Sequence, residues 1–389
     1  MTKAAAARAR AFKIIASRIL TMTMFSRAGS ITPRESVSLL PAYAAGKPPR
    51  AAEGLTPYKL SSNENPLGPV PAVTQAMAAV DTLHRYPHPN AENLRAGLAE
   101  VLEVPVEDIV AGTGSLGALT QIINAFAGSN SDGSQDEVIY AWRSFEAYPI
   151  VVRTAGAKDV AVPVAEDGRH DLEAMLAAIT AQTKVLLLCT PNNPTGPALR
   201  HSEVEAFLAK VPGDVVVVID EAYQEFVRTE DPLDALALYR RHPNVAVLRT
   251  FSKAHGLAAL RVGYSIAGPE ITRHLRVVAA PFGVSTLAEV AALASLEHLD
   301  QVMERVDSLV AERDRVAAAL AEAGWTIPEA QGNFVWLPLR ERTAEFTEAA
   351  GLQALAVRGF PGEGVRVTIG EVEANDRFIE LCRTYRFEA

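Results

Sequence analysis

Residues Arg249–Tyr264 read RTFSKAHGLAALRVGY. The second half is apolar enough for a core, yet Lys253 stands between Ser252 and Ala254, with Gly256 close behind and Arg261 further on. A solvated surface lysine needs no such setting. A lysine held in a pocket to form a covalent link with a carbonyl group does. The apolar runs on either side, Val245–Leu248 and Val262–Ala267, read as strands, so the lysine falls on the connection between two strands.

Upstream, further short apolar runs predict strands at Asp108–Ala111, Glu137–Ala141, Lys184–Cys189 and Val215–Ile219, with helical patterns between them. Strands alternating with helices predict a mainly parallel α/β sheet. The run VVVVI at 215–219 is apolar on both faces, as expected of a strand covered by helices on each side. After the first strand, Leu116, Leu119, Ile122, Ile123 and Phe126 recur at helical spacing, and Gly128 sits where a helix stop belongs. Past residue 280 the texture changes. A long Ala/Glu/Arg-rich helical pattern covers Leu287–Ala323, and NFVWLPL, ALAVRGF and GVRVTIG then read as short antiparallel strands of a smaller α+β domain.

Four segments lie at predicted strand ends: GTGSLG (112–117), PNNPTG (191–196), DEAY (220–223) and TFSKAHG (250–256). Loops at the carboxyl ends of an open α/β sheet face one crevice. Ser115, opening a helix behind glycine, offers free N–H groups to an anion, and Thr250, Ser252 and Arg261 add hydroxyls and a fixed cation. Asp220 follows an apolar strand and requires a cationic or N–H partner. Asn193 and Tyr223 can address the same ligand. Taken singly, each segment has an ordinary reading as a turn, a helix cap or a surface charge. Together, a lysine, a phosphate cradle, a buried acid and a phenol describe a site for pyridoxal 5'-phosphate.

With SSNENPLGP, RYPHP, PNNPTG, IDEAYQEF, RTFSKAHGLAALRVGY, QGNFVW and GVRVTIG in this order, the chain resembles the fold-type I pyridoxal-phosphate aminotransferases, in their histidinol-phosphate aminotransferase-like branch. The resemblance runs from Ser61 to Arg386. It implies an aspartate aminotransferase-like fold, with a large domain on a mainly parallel seven-stranded sheet plus a small α+β domain. Lys253 would carry the cofactor as a Schiff base and move the substrate proton. Asp220 would pair with the pyridine nitrogen, while Asn193 and Tyr223 would bond the ring's phenolic oxygen. Ser115, Leu116, Thr250, Ser252 and Arg261 would hold the phosphate. Arg366 would take the substrate carboxylate, with Asn333 assisting. A homodimer with shared sites is implied, in which Tyr86 reaches the neighbouring subunit's cofactor. Two departures stand out: His255 where the branch more often has Tyr or Phe, and Leu116-Gly117 in place of an acidic pair.

The segment YAWRSFEAYP (140–149) bears on the substrate. Phe145 aligns with the ring that stacks on the cofactor, and the W-R-S-F version resembles actinobacterial aromatic amino acid (phenylalanine) aminotransferases. Phe145, Tyr148 and Trp142 are expected to offer apolar area to a substrate ring, with Arg358 as one spare cation near the substrate's far end. The expected reaction moves an amino group between an aromatic amino acid and a 2-oxo acid such as 2-oxoglutarate; the alternative is histidinol phosphate as donor.

At 389 residues the chain can hold two domains. A formal charge of −9 argues against a nucleic-acid surface. Two cysteines make no disulfide framework, and no Cys/His cluster predicts a metal; a reducing cytoplasm fits. Residues 1–34 form a basic stretch without an acidic residue, read as a disordered arm. Its apolar centre Ile14–Phe25 is too short and interrupted to span a bilayer. The expected divisions are 1–34 arm, 35–62 segment against the small domain, 63–280 large domain and 281–389 small domain. The arm is too short for a helix-turn-helix, which disfavours a transcription regulator of the same fold. A lyase or decarboxylase would share the cradle but need not return the cofactor as its amine.

Overall fold

The computed structural model describes residues 31–40, 46 and 48–385. The basic run 1–30, with Ile14–Phe25, lies outside the described residues. Before Leu40, Glu35–Ser38 makes one helical turn.

Seven strands form the large sheet: β2 (Ile109–Gly112), β3 (Glu137–Trp142), β4 (Lys158–Pro163), β5 (Thr183–Cys189), β6 (Val216–Asp220), β7 (Val245–Thr250) and β8 (Gly263–Ala267). Their order is β2-β8-β7-β6-β5-β3-β4, and β8 alone runs against the rest. This is the mainly parallel seven-stranded sheet that the resemblance implied. β4 is the strand that periodicity missed. It is an edge strand that opens on Lys158 and Asp159 and leaves most of its side chains at least partly exposed, so it carries little apolar signal.

The run at 215–219 is buried from both sides. Val216 and Val218 enter one apolar cluster with the helices Gly114–Phe126, Ala147–Ala155 and Pro269–Val278. Val217 and Ile219 enter the other, with the helices Glu92–Leu102, His201–Leu208 and Ala235–Arg241. Burying each such side chain is worth about 1.5–3 kcal/mol, so this strand fixes the sheet between two helical layers.

The second cluster continues into a smaller antiparallel sheet. There β9 (Phe334–Leu337) and β11 (Arg358–Phe360) flank β12 (Gly364–Thr368). A short strand near the start, β1 (Tyr58–Lys59), pairs in parallel with β10 (Leu355–Ala356). The helical pattern past 280 resolves into two helices, Thr286–Glu297 and Leu299–Glu322, separated at His298. The first packs on the early helices: Asn93 Nδ2 donates to Glu289 Oε1 at 2.8 Å, and Gly97 leaves room for Leu293. By this packing Thr286–Glu297 sits against the helix Glu92–Leu102.

β2, β3, β5, β6 and β7 all end at one edge of the sheet, and β8 begins there. Ser115, Phe145, Asn193, Asp220, Lys253 and Arg261 follow or precede those ends, which places them around one crevice.

Candidate active site

The crevice is a cavity of about 330 Å³ lined by Ser115, Leu116, Phe145, Asn193, Asp220, Tyr223, Thr250, Ser252, Lys253, Arg261, Arg358 and Arg366, among others. The loop segments chosen from the sequence therefore meet. Asn333 and Tyr86 do not line it.

At one end, glycines let backbone and guanidinium approach closely. A Cβ on Gly263 would lie 2.4 Å from Ser115 N, because β8 passes directly beneath the start of the helix Gly114–Phe126. Gly114 has φ +75°, and a Cβ there would lie 2.7 Å from Arg261 Nη2. Thr250 Oγ1 donates to Ser252 Oγ at 3.0 Å, and Arg261 Nη1 reaches Ser252 Oγ at 3.4 Å. A helix start, two hydroxyls and a guanidinium thus share one concavity, a setting for a phosphate-sized anion.

Asp220, the last residue of β6, lies beneath the cavity. Its Oδ2 accepts a 2.7 Å hydrogen bond from Tyr148, while Oδ1 is buried with no partner. Burial pushes this carboxyl up to about 6, against the lowering effect of the Tyr148 bond. A buried acceptor without a donor is costly. A ring nitrogen bearing a proton would satisfy it.

Lys253 Nζ donates to Ser62 O at 3.1 Å and Asn63 O at 3.2 Å, and sits 5.6 Å from the centre of the Tyr223 ring. Burial lowers its pKa to about 7, helped by the positive charges of Arg366, Arg261 and Lys59 and opposed by Glu64. An amine near neutrality is a nucleophile at ordinary pH. Asn65 Nδ2 steadies the loop by donating to Ala254 O at 3.0 Å.

Asn63 is the hub that the sequence reading passed over. It is fully buried, its Nδ2 donates to Tyr223 Oη at 2.9 Å, and its carbonyl accepts from both Lys253 and Asn333. Because Tyr223 accepts from Asn63, its own proton is available toward the cavity. Burial raises the Tyr223 pKa well above a free phenol's. Arg366 donates to Asn193 Oδ1 and, at 2.7 Å, to Ser61 O, which fixes its plane at the cavity wall. Asn333 acts at one remove, through Asn63.

The 140–149 segment differs from expectation. Phe145 lines the cavity and meets Tyr148 edge-on at 5.7 Å. Tyr148 lies beneath Asp220 as its hydrogen-bond donor and is no wall for a substrate ring. Trp142 is not at the cavity either: Arg143 stacks over it at 4.1 Å, because β3 turns its last side chain away from the crevice. Phe360 supplies the apolar area in its place. Arg358 is a wall residue, but its Nη2 lies 2.8 Å from both Glu146 oxygens.

His255 turns away from the cavity. Its ring packs at 4.6 Å against Phe251, tilted by 48°, Nδ1 meets Ser295 Oγ at 2.7 Å, and burial lowers its pKa to about 4. It is a neutral packed ring. Tyr86 is 82% exposed and rests on Phe282, itself 40% exposed, at 4.8 Å. Among the described residues no cluster of His, Cys, Asp and Glu could hold a metal, and no helix is long and apolar enough to cross a membrane.

This geometry suits a flat, phosphorylated ring with a basic nitrogen, held beside an amine. The family described as aminotransferase class I and II matches residues 56–381. The aromatic amino acid aminotransferase of Streptomyces avermitilis is 51% identical over 356 residues, 91% of this chain and 98% of that one. The protein of the same name from Thermobifida fusca is 49% identical over 353 residues, 90% of this chain and 96% of that one. The crystal structure of histidinol-phosphate aminotransferase from Sinorhizobium meliloti, in complex with pyridoxal-5'-phosphate, superposes with a TM-score of 0.80 at 25% identity, covering 92% of this chain and 100% of that chain. The chain belongs to the class I and II aminotransferases.

Proposed function

We propose that this aminotransferase binds pyridoxal 5'-phosphate and moves the amino group of an aromatic L-amino acid to a 2-oxo acid by a ping-pong sequence. When bound, the cofactor supplies an electron sink for the pair left on the substrate's Cα. Lys253 Nζ holds the cofactor and, once free, takes the Cα proton; its lowered pKa suits that exchange near neutral pH. Asp220 Oδ1 accepts from the ring nitrogen's proton and keeps it in place. Tyr223 and Asn193 address the ring's phenolic oxygen. Ser115, Leu116, Thr250, Ser252 and Arg261 hold the phosphate. Arg366, with its plane fixed by Asn193 and Ser61, takes the substrate's α-carboxylate, and Asn333 steadies that region through Asn63.

One observation carries the aromatic preference: Arg358, the cation left for the substrate's far end, is already paired with Glu146, beside the rings of Phe145 and Phe360. A phosphate of about two negative charges finds no net positive partner there, whereas an aromatic ring finds apolar area. The names of the relatives near 50% identity support the same reading. Competition kinetics with phenylalanine and histidinol phosphate as donors tests it. Phenylalanine is expected to be at least about tenfold more efficient, roughly 1.4 kcal/mol of transition-state binding. A preference for histidinol phosphate would replace this reading with the alternative.

The working unit in this proposal is a homodimer. The exposed Tyr86, resting on Phe282, supports a partner subunit covering this face and receiving Tyr86 near its own cofactor phosphate. Two buried free thiols support a reducing, cytoplasmic setting.

A further inference from the structure

We infer that Glu146 is a specificity-determining residue, which excludes phosphorylated substrates by cancelling the charge of Arg358. The inference rests on the aromatic reading above and deepens it.

The cavity is lined by four basic side chains: Lys253, Arg261, Arg358 and Arg366. Three have work at the cofactor or the α-carboxylate. The fourth, Arg358, opens strand β11 and meets Glu146, which stands just before the helix Ala147–Ala155. Both side chains are mostly shielded from solvent, 13% exposed for Arg358 and 27% for Glu146. At such a site the pairing is weakly screened and strongly directional. Arg358 Nη2 is equidistant from the two carboxylate oxygens, at 2.8 Å. The guanidinium also lies 5.5 Å from the centre of the Phe360 ring, so the pair and the ring form one wall.

A substrate phosphate seeking Arg358 must either displace Glu146, leaving a carboxylate unpaired in a shielded wall, or sit beside it against like charge. Both routes are costly, and neither is asked of a benzyl group. Rejection here comes from a repulsive element placed beside an attractive one. A second pair allows a control. Arg143 Nε donates to Glu363 Oε2 at 2.7 Å, and its guanidinium lies 5.4 Å from the same Phe360 ring, but neither Arg143 nor Glu363 lines the cavity.

The experiment measures single-turnover half-reactions of the holoenzyme with phenylalanine or histidinol phosphate as sole donor, in Glu146→Gln, Glu363→Gln and the double variant Glu146→Gln/Arg358→Gln. Thermal melts confirm that each variant is folded. The wild type is expected to favour phenylalanine. Glu146→Gln is expected to shift the efficiency ratio toward histidinol phosphate by at least about fivefold, mainly through the concentration needed for half-maximal rate. The double variant should lose that shift, and Glu363→Gln should not produce it. A smaller shift in Glu146→Gln, an equal shift in Glu363→Gln, or a gain that survives in the double variant overturns the role of Glu146 while leaving the aromatic reading intact. A wild type that favours histidinol phosphate overturns both.

Discussion

The Tyr148 hydroxyl donates a 2.7 Å hydrogen bond to Asp220 Oδ2, while Asp220 Oδ1 lies buried without a partner. The two oxygens of one carboxylate are thus divided between a fixed donor below and an open acceptor position above. A donor to the charged form lowers a carboxyl's pKa, here against a burial effect that takes it up to about 6. Tyr148→Phe removes the donor and leaves the burial. The acid limb of the rate profile should move up by about one pH unit, which reduces kcat about twofold at pH 7 and nearly tenfold at about pH 5. An unmoved acid limb would show that Tyr148 is only packing.

Asp220→Asn asks for more. A neutral amide does not hold a ring nitrogen in its protonated form, so the cofactor should remain bound while turnover falls by several orders of magnitude. Absorbance of the bound cofactor and kcat on the same sample separate the two effects. Near-normal turnover would reduce Asp220 to a structural residue at the end of β6.

Lys253 is expected to react as an amine at mild pH. Burial and the neighbouring charges of Arg366, Arg261 and Lys59 lower its pKa to about 7 from an ordinary 10.5, with Glu64 pulling the other way. The neutral form attacks, so the rate of cofactor capture by apoprotein should rise with pH up to about 7 and then level off. A rate still climbing tenfold per unit at pH 9 would place the lysine at its ordinary value. The folded state binds fewer protons here than the unfolded chain between about 7 and 10.5, so this group makes the apoprotein more stable as pH rises through that window. Borohydride reduction followed by peptide mapping should mark Lys253, and a label on Lys184 or Lys210 would remove it from the mechanism.

Shared sites predict complementation between subunits. Lys253→Ala and Tyr86→Ala homodimers should both be impaired, and mixing them under exchange conditions should restore activity. Random pairing leaves half of the dimers mixed, each with one intact site, so recovery should approach roughly a quarter of wild type. No recovery would mean that Tyr86 does not act across an interface.

Much of this was legible in the sequence, and the reasons differ by residue. The double-sided apolar run ending at Asp220 and the lysine loop were readable because each is a local pattern at a strand end, and the topology then forces such ends together. Asn63 was not readable as a hub. Its partners Tyr223, Lys253 and Thr368 are 160 to 305 positions away, so its role exists only in the folded chain. The pairing of Arg358 was hidden likewise, because Glu146 lies 212 positions earlier. Trp142 and Tyr148 were misplaced for a different reason. Aromatic composition near a cavity does not say which face of β3 or of the following helix each ring takes, and Arg143 and Asp220 claimed them. β4 escaped because an edge strand with polar side chains lacks an apolar period.

In the proposed function, the site built around Lys253 and Asp220 transfers the amino group of an aromatic amino acid. The most direct measurement mixes pyridoxal-phosphate-loaded protein with phenylalanine and no acceptor, then quantifies products. One phenylpyruvate per subunit is expected, with the cofactor recovered as its amine and turnover resuming only when a 2-oxo acid is added. Phenethylamine with carbon dioxide, or no keto acid at all, would contradict it.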